Sequence, residues 1–400
     1  MKKNKKVEIL LIGGTGVLSK AVTDEALKQG IGVTMINRGH RLNLIPSQAK
    51  LIKADKNDKQ TIINALRGKH FDAVFDFLCC NCKDITYSFN LYKNYTSQYF
   101  FISSCAVYNT AQNTICYEDS EKILPMWKYS IHKWESEKHL INLVKNSGVN
   151  YTIIRPGVTY GNTRFPYGIS PMYGYHWTLV ARILNKKPII RWNKGINRCN
   201  MTRVEDFAIG VIGLIGNPKA YNEAFNICGD ETPSFNDVLD ILSKLVQKEV
   251  ITIDVTSNFY AEEIPERAGE ILGGRSINAI NSNEKIKSVV PSFKQTIPLE
   301  EGMKMTFDAY KMNNYQHGID WEFDGDTDRI IKKWCKKNKI DYHQYNLGFK
   351  DYCNNATFSN KVVYLLNYHK DEWFIAIICK ILPLYQRLIR KLKKILLKQR

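Results

Sequence analysis

The sequence has no uninterrupted apolar run long enough to span a bilayer, no internal repeat and no low-complexity tract. A spanning helix needs about 20 apolar residues. The longest nearly uncharged run, between Glu372 and Arg387, is interrupted by Lys380 and Pro383. Acidic residues are also scarce, because 39 Asp and Glu stand against 57 Lys and Arg, giving a net charge of +18. The lack of a long apolar run disfavours a membrane-spanning protein, and the lack of an internal repeat disfavours a repeat architecture.

Cysteine pairs at the spacing of a zinc site are missing as well. Ten cysteines are scattered along the chain, and the first residues pass from lysines directly into a strand-like run without a signal-peptide pattern. Cys79, Cys80 and Cys82 lie close together, but no second Cys or His pair lies at a partner distance. We therefore expect reduced, partly buried thiols, no metal and a cytoplasmic protein.

The excess positive charge is concentrated near the C-terminal end. Residues 361–400 hold ten Lys and Arg against Asp371 and Glu372, which gives 10 − 2 = +8 of the net +18. Elsewhere acidic residues interleave with the basic ones, and no basic run is flanked by aromatic stacking positions. This distribution disfavours nucleic-acid binding.

The tail, residues 373–400, has the pattern of a basic amphipathic helix after Pro383. Tyr385, Leu388, Ile389, Leu392, Ile395 and Leu396 recur at helical spacing, while Arg387, Arg390, Lys391, Lys394 and Lys398 cover the other side. We expect this helix to lie on an anionic membrane surface, which would make the protein peripheral at the inner face of the membrane. The alternatives are a subunit contact, as in a homodimer, and a contact with a membrane-bound glycosyltransferase.

Short apolar runs alternate with helical patterns over most of the chain. The strand-like runs are 7–12, 32–37, 49–54, 72–78, 99–103 and 151–155. Six such runs separated by helices predict an α/β fold with a doubly wound parallel Rossmann sheet. We expect an NAD(P)-binding domain over 1–165 with its sheet completed by 187–230, a smaller discontinuous α/β substrate domain over 166–186 and 231–312, and a helical C-terminal extension over 313–400.

The glycine-rich stretch GGTGVLS, residues 13–19, follows the first strand and opens a helix. Glycines permit the tight turn there and let the backbone approach a pyrophosphate at the helix N-terminus, so this context predicts dinucleotide binding. The second strand ends at Asn37 and Arg38, where an acidic residue would bind a ribose 2′-hydroxyl. An arginine accommodates a 2′-phosphate, so the sequence favours NADP over NAD. A solvated arginine in a turn is the alternative.

Tyr129 and Lys133 are four residues apart in a helical pattern and therefore share one face. An ammonium beside a phenol favours the phenolate, so the pair can provide an acid/base tyrosine near neutral pH. The pair opens the helix that follows the strand ending in Ser103 and Ser104. Ligands of doubly wound sheets bind at this carboxyl edge, which makes the three residues a candidate catalytic site.

The ordered set of motifs resembles the extended short-chain dehydrogenases/reductases of the NAD-dependent epimerase/dehydratase family. The segments, in chain order over roughly residues 7–310, are GGTGVLS, INRG, KAD, ISSCAVY, YSIHK, IIRPGVTYG, RVEDFA and AFNICGDE. The resemblance implies an enzyme acting on a nucleotide-sugar held by the second domain.

Carried over by position, the resemblance implies specific roles. Tyr129 would transfer the proton, Lys133 would hold the nicotinamide ribose, and Ser104 would hydrogen-bond the reacting oxygen. Arg198 would reach a phosphate of the sugar nucleotide, although its spacing departs by one residue from the family pattern. The cofactor would be contacted by Gly13, Thr15, Gly16, Val17, Leu18, Arg38, Asp55, Phe77, Leu78, Ser103, Tyr129, Lys133 and Pro156.

One departure from the family narrows the expected reaction. Members that eliminate water from the sugar have a Thr-Asp-Glu run where this chain has Ser104, Cys105 and Ala106, so 4,6-dehydration is disfavoured. The remaining reactions are epimerisation and keto-reduction by hydride transfer at a ring carbon. The family resemblance and the tail together imply a role in surface polysaccharide biosynthesis. The rival hypothesis is a non-catalytic dinucleotide-binding regulator or RNA-binding relative of the same fold.

Overall fold

The computed structural model describes residues 6–112, 114–122, 126–314, 318–354, 356–373 and 375. The predicted amphipathic helix after Pro383 lies outside these residues, so it stays a prediction. Among the helices that are described, none has the length and apolar character needed to cross a membrane.

Strands alternate with helices over the first part of the chain. The strands are β1 (Glu8–Ile12), β2 (Gly32–Asn37), β3 (Lys50–Lys53), β4 (Ala73–Asp76), β5 (Gln98–Ile102), β6 (Asn150–Pro156), β7 (Val158–Tyr160), β8 (Ile189–Trp192), β9 (Met201–Arg203), β10 (Glu223–Ile227) and β11 (Thr252–Val255). The helices are α1 (Val17–Lys28), α2 (Lys59–Leu66), α3 (Cys82–Tyr92), α4 (Lys128–Val144), α5 (Trp177–Leu184), α6 (Val204–Ile212), α7 (Phe235–Val246), α8 (Ser257–Glu263), α9 (Ala268–Glu270), α10 (Glu284–Val289), α11 (Leu299–Met312), α12 (Trp321–Lys337) and α13 (Phe358–Tyr368).

Seven of the strands form one parallel sheet in the order β10-β6-β5-β4-β1-β2-β3. The predicted doubly wound Rossmann sheet is therefore confirmed. Within the segment 187–230 that was expected to complete this sheet, only β10 joins it. The strand β8 instead pairs in parallel with β11, and β7 pairs with β9.

Both faces of the sheet are covered, which explains the continuous apolar strands. Along β1, Ile9 and Leu11 pack in one core with α1 and α6, while Leu10 and Ile12 pack in the other with α3 and α4. These side chains are fully buried, and each stabilises the fold by about 1.5–3 kcal/mol relative to an exposed position. The parallel register brings the carboxyl ends of the strands to one edge.

The chain divides into two compact units. The first comprises the described residues of Met1–Gly168, Gly195–Ile241 and Ile264–Phe307, and contains the seven-stranded sheet. The second comprises those of Ile169–Lys194, Leu242–Glu263 and Asp308–Arg400. These boundaries differ from the predicted domains, because the segment 264–307 falls with the sheet and the C-terminal helices fall with the second unit.

The second unit contains the β8–β11 pair and the helices α5, α8, α12 and α13. Its interior holds a group of fully buried charges, here called the second-unit cluster: Arg182, Lys187, Asp324 and Asp328. The hydroxyls of Tyr352 and Tyr364 donate to Asp324 and Asp328 respectively. Thus the C-terminal helical extension is held to α5 and the start of β8 by paired charges.

Candidate active site

The glycine loop, residues 13–16, connects β1 to α1. Gly13 has φ +89°, and a Cβ atom there would lie 2.8 Å from the side chain of Leu78, so this position requires glycine. Ser19 takes part in the loop, since its hydroxyl accepts from the Gly16 N–H at 2.8 Å and donates to the Gly13 carbonyl at 2.9 Å. The serine in the third motif position therefore stabilises the turn.

The loop can accept the pyrophosphate of a dinucleotide. Gly16, the residue before α1, is exposed, while a Cβ at Gly14 would lie only 2.6 Å from Met35 Cε, so a side chain there would not fit against β2. The amide groups at the start of α1 favour an anion at this point. The side chains present thus fit the dinucleotide that the motif predicts. Val17 begins α1, and Leu18 packs against the core beneath it.

The end of β2 carries no acid. Asn37 is occupied by the protein, because its amide donates to Thr15 Oγ1 at 3.1 Å and its carbonyl accepts from the Gly39 N–H at 3.0 Å. Arg38 follows and is exposed. A cation rather than a carboxylate is therefore available at the position that distinguishes the two dinucleotides.

Other predicted cofactor contacts lie at the same edge of the sheet. Asp55 follows β3, is exposed and accepts from the Asn57 N–H at 2.9 Å. Phe77 and Leu78 follow β4, and the Leu78 N–H donates to Asp76 at 2.7 Å. Pro156 is the last residue of β6. The parallel sheet therefore brings these residues to one side of the molecule, as the motif order predicts.

Lys133 is 7% exposed and reaches the ends of two neighbouring strands. Its Nζ donates to the Ile102 carbonyl at 2.8 Å and to the Cys79 carbonyl at 3.0 Å. Burial lowers the pKa of this ammonium, although nearby Cys80, Cys79, Asp76 and Glu137 act in the opposite direction. Within the described residues Lys133 has no carboxylate as a direct ion-pair partner.

Tyr129 lies one turn before Lys133 on α4 and is 43% exposed. The Lys133 Nζ is 5.9 Å from the centroid of the Tyr129 ring, so the predicted pair is brought together. The Trp127 ring packs on Tyr129 at 5.3 Å between centroids. Trp127 also packs closely against a glycine, since a Cβ at Gly274 would lie 2.8 Å from the indole. The segment around Gly274 thus supports the start of α4.

Ser104 begins the short helical turn Cys105–Val107 at the end of β5. Its hydroxyl accepts from the Ala106 N–H at 3.1 Å and the residue is half-buried. The Ala106 carbonyl in turn accepts from the hydroxyl of Ser130, the residue after Tyr129. One hydrogen bond therefore joins the Ser104 turn to the helix that carries Tyr129 and Lys133.

A buried ion pair that the sequence analysis missed lies beneath these residues. Glu137 and Arg155 form a bidentate pair with distances of 2.6 and 3.0 Å, and Ser103 donates its hydroxyl to Glu137 at 2.5 Å. Tyr108 accepts from Arg155 at 2.8 Å. We call these four residues the α4 cluster. The position of Glu137, four residues after Lys133, is the sequence signal that could have found it.

Arg198 makes its hydrogen bonds with other parts of the chain. Its guanidinium donates to the Thr232 carbonyl at 2.7 Å and to the Thr232 hydroxyl at 3.0 Å, and the side chain is exposed. None of its hydrogen bonds within the described residues reaches Tyr129 or Lys133. The predicted phosphate contact therefore stays a prediction.

The thiols after β4 differ in their surroundings. Cys79 is buried, Cys80 is exposed and Cys82 is half-buried at the start of α3. Over the described part of the chain, no three His, Cys, Asp or Glu side chains are grouped so that they could hold a metal ion.

Comparison with known families matches the chain over residues 82–228 to the NAD dependent epimerase/dehydratase family. The matched span begins after β4 and includes Ser104, Tyr129 and Lys133. The family resemblance that the motifs predict is therefore confirmed.

Two relatives are similar to this chain at low sequence identity. The chloroplast stem-loop binding protein of 41 kDa b from Arabidopsis thaliana is 24% identical over 340 residues, which cover 81% of this chain and 84% of the relative. The UDP-glucose 4-epimerase of Vibrio cholerae is 22% identical over 226 residues, which cover 54% of this chain and 64% of the enzyme.

The fold is similar to that of UDP-glucuronic acid 4-epimerase from Bacillus cereus, solved in complex with UDP-glucuronic acid and NAD. The TM-score is 0.61 at 18% sequence identity, and the aligned region covers 77% of this chain and all of the enzyme. At this identity the likeness establishes a shared fold.

Proposed function

We propose that the protein is an NAD(P)-dependent epimerase of a nucleotide-linked sugar. The observation that carries the proposal is the buried Lys133 ammonium, held on two strand-end carbonyls 5.9 Å from the Tyr129 ring. A module that only binds a dinucleotide has no need of a tyrosine beside a buried lysine. The names of the Vibrio cholerae relative and of the structural neighbour, both epimerases, support the choice of epimerisation over net reduction.

The residues of the site can move a proton at the reacting oxygen of the sugar. A bound nicotinamide cofactor supplies the hydride chemistry at the ring carbon. Tyr129 would accept the proton of the sugar hydroxyl as the carbonyl forms and return it afterwards. Lys133 favours the phenolate of Tyr129 by its charge and would hold the nicotinamide ribose. Ser104 would hydrogen-bond the same sugar oxygen.

The residues after Ser104 support epimerisation rather than elimination of water. Cys105 is buried, with its thiol 3.1 Å from the Arg155 carbonyl, and Ala106 carries no acid. Elimination requires a general acid and a base at the sugar. The turn Cys105–Val107 provides neither group, so we propose no dehydratase activity. We propose, from the family resemblance and the basic tail, that the reaction serves surface polysaccharide biosynthesis.

Turnover of a panel of nucleotide-sugars tests this function. NADPH and NADH absorbance and the sugar product would be followed together, and product without net oxidation of the cofactor is expected. Tyr129→Phe should lower kcat by about 10³-fold because it removes the proton-transfer group. Tyr87→Phe, an exposed tyrosine on α3, is the matched control. Full activity of Tyr129→Phe would contradict the assigned role.

We propose NADP as the preferred cofactor, with Arg38 at the 2′-phosphate. The support is the exposed cation after β2 together with the occupied, uncharged Asn37. Arg38→Ala should reduce the preference for NADP over NAD by about tenfold, the loss expected for one exposed charge-assisted contact. Arg67→Ala, another exposed arginine, should leave the ratio unchanged. An unaltered ratio in Arg38→Ala would assign Arg38 to the solvent.

We propose that the tail, residues 373–400, attaches the enzyme to an anionic membrane surface. Its support is the apolar and basic pattern of the sequence, together with eight net positive charges over 361–400. The full chain should float with vesicles that contain phosphatidylserine and not with neutral vesicles. Deletion of 373–400 should abolish flotation. Equal flotation with and without the tail would contradict this attachment.

A second candidate function is RNA binding. It is favoured by the similarity, over 81% of this chain, to a protein named for stem-loop binding. The two functions separate by experiment, since a gel-shift assay with a stem-loop RNA and a single-stranded competitor measures specific binding directly. Specific stem-loop binding without turnover of any nucleotide-sugar would favour this candidate.

A further inference from the structure

Tyr129, Lys133 and Glu137 are spaced by four residues along α4 and therefore lie on one face of the helix. Lys133 and Glu137 each contact partners at the carboxyl edge of the sheet. Lys133 binds the Ile102 carbonyl at the end of β5, and Glu137 binds the next residue, Ser103, through its hydroxyl. Lys133 and Glu137, on successive turns of α4, thus bind adjacent residues at the end of β5.

Glu137 also fixes the neighbouring strand. Its two carboxylate oxygens bind the guanidinium of Arg155, the residue before the end of β6. The Ser103 N–H donates to the Ile154 carbonyl at 2.7 Å, so β5 and β6 are joined at the same level by the backbone. Glu137 therefore ties α4 to the ends of both β5 and β6.

The chemistry of this contact makes it stiff. Glu137 and Arg155 are 0% and 3% exposed, and a bidentate carboxylate–guanidinium pair fixes both distance and orientation. Arg155 is itself held by the Tyr108 hydroxyl and by the Glu118 carbonyl at 3.0 Å. A shift of Glu137 would therefore move Ser103, and with it the Ile102 carbonyl that holds Lys133.

We propose that Glu137 is a positioning residue for the reaction, an inference that rests on the proposed epimerase function. Through Ser103 and Arg155 it sets the place of the Lys133 ammonium and of the Ser104 hydroxyl relative to Tyr129. Glu137 is fully buried, so it would act through these neighbours and not by touching the substrate or the cofactor. Misplacement of a reacting group by about 1 Å costs about 10²-fold in rate, so this contact governs turnover rather than binding.

Kinetics of Glu137→Gln test the proposal against a matched control. The change keeps the size of the side chain and weakens the bidentate pair. We expect kcat to fall about 10²-fold, whereas the KM for the nucleotide-sugar should change by less than about threefold. Glu135→Gln, on the exposed side of the same helix, makes the same change in charge and should leave both values unaltered. Wild-type kcat in Glu137→Gln would overturn the proposal.

A second measurement reports on Lys133 without any activity. A short pulse of an amine-acetylating reagent followed by mass spectrometry gives the labelling rate of each lysine. In Glu137→Gln the rate at Lys133, relative to exposed Lys138 on the same helix, should rise about tenfold because the ammonium opens to solvent more often. An unchanged ratio would overturn the positioning role, and this result holds even if no nucleotide-sugar is turned over by the wild type.

A double variant covers the case in which Glu137→Gln does not fold, since it leaves Arg155 buried without its full partner. Glu137→Met with Arg155→Met removes both charges, a replacement that often preserves stability. If this folded variant keeps wild-type kcat, the pair is structural and the proposal is wrong. A loss of about tenfold or more in kcat with unaltered cofactor binding supports it.

Discussion

Two buried lysines, one in each unit, are held in different ways. Lys133 donates to two uncharged main-chain carbonyls, whereas Lys187 lies 2.6 Å from Asp328 and 3.2 Å from Asp324. Both are almost inaccessible to solvent. A buried charge without a carboxylate partner is costly, and so is removal of one partner from a buried ion pair, so loss of Lys133 and loss of Lys187 should affect stability in opposite directions.

The difference supports our proposal that Lys133 serves the reaction, whereas Lys187 stabilises the second unit. Burial lowers the pKa of Lys133, which means that the folded protein makes its charged form less favourable. The direct partners of Lys187 also pair with Arg182, so two cations balance two carboxylates in the second-unit cluster. The Lys133 ammonium beside Tyr129 is buried without a carboxylate partner in the part of the chain that the structure describes, which is unfavourable for stability. Proteins keep such arrangements mainly where function requires them.

The largest effect is expected for Lys133→Met. Activity should fall about 10³-fold, because the charge that favours the Tyr129 phenolate is lost. The free energy of unfolding should stay the same or rise, since the buried ammonium is removed. Kinetics and urea unfolding followed by circular dichroism measure both quantities. A marked loss of stability would show that Lys133 is a structural residue, and the comparison with Lys187 would fail.

The matched change in the second unit is Lys187→Met. Here the same substitution leaves Asp324 and Asp328 with Arg182 as their remaining cation in the cluster, and removal of one member of a buried ion pair costs about 3 kcal/mol or more. Urea unfolding under the same conditions gives the difference. As a surface control, Asp24→Asn breaks the exposed Lys20–Asp24 pair and should cost less than about 0.5 kcal/mol. Equal stability of Lys187→Met and the wild type would remove the distinction between the two lysines.

The two regions also differ in how far the sequence predicts them. The strands, the glycine loop and the Tyr129–Lys133 pair depend on local patterns with a period of two or of about four residues, and these patterns are visible in the chain itself. Even Glu137 continues the spacing of four. Its partner Arg155 cannot be read from that pattern, because only the pairing of β5 with β6 brings the strand end beside α4.

No local pattern in the sequence predicts the second-unit cluster. Lys187 and Asp324 are separated by 137 residues, and each lies in a segment that is unremarkable in composition. The charges of Asp324 and Asp328 on α12 are typical of a solvated helix face, since charged residues are mostly exposed. Their burial follows from the packing of the C-terminal extension, which no periodicity in the sequence specifies. The sequence therefore predicts correctly that the C-terminal extension is helical, but it does not predict which residues the extension contacts.

The smallest effect is a contrast in pH dependence between two carboxyl groups. Burial opposes ionisation of Asp328, but Arg182 and Lys187 hold its pKa below the usual value, whereas burial raises the pKa of Glu118 beside the α4 cluster. The stability that Asp328 contributes is thus present above about pH 4 and is lost as the pH falls through its lowered pKa. The contribution of Glu118 has the opposite sign, being present below about pH 4 and lost as the pH rises through its raised pKa.

Urea unfolding between pH 3 and pH 7 measures this contrast. The free energy of unfolding of the wild type, relative to that of Asp328→Asn, should rise with pH by on the order of 1 kcal/mol, because one pKa unit is worth about that much. For Glu118→Gln the wild type should lose stability relative to the variant over the same range, by a smaller amount because Glu118 is only half-buried. Slopes of the same sign in both variants would mean that the carboxyl groups share one kind of environment. Opposite slopes would mean that the carboxyl groups differ as the two lysines do. Asp328, like Lys187, would be stabilised by paired charges, whereas Glu118, like Lys133, would be disfavoured in its charged form by burial.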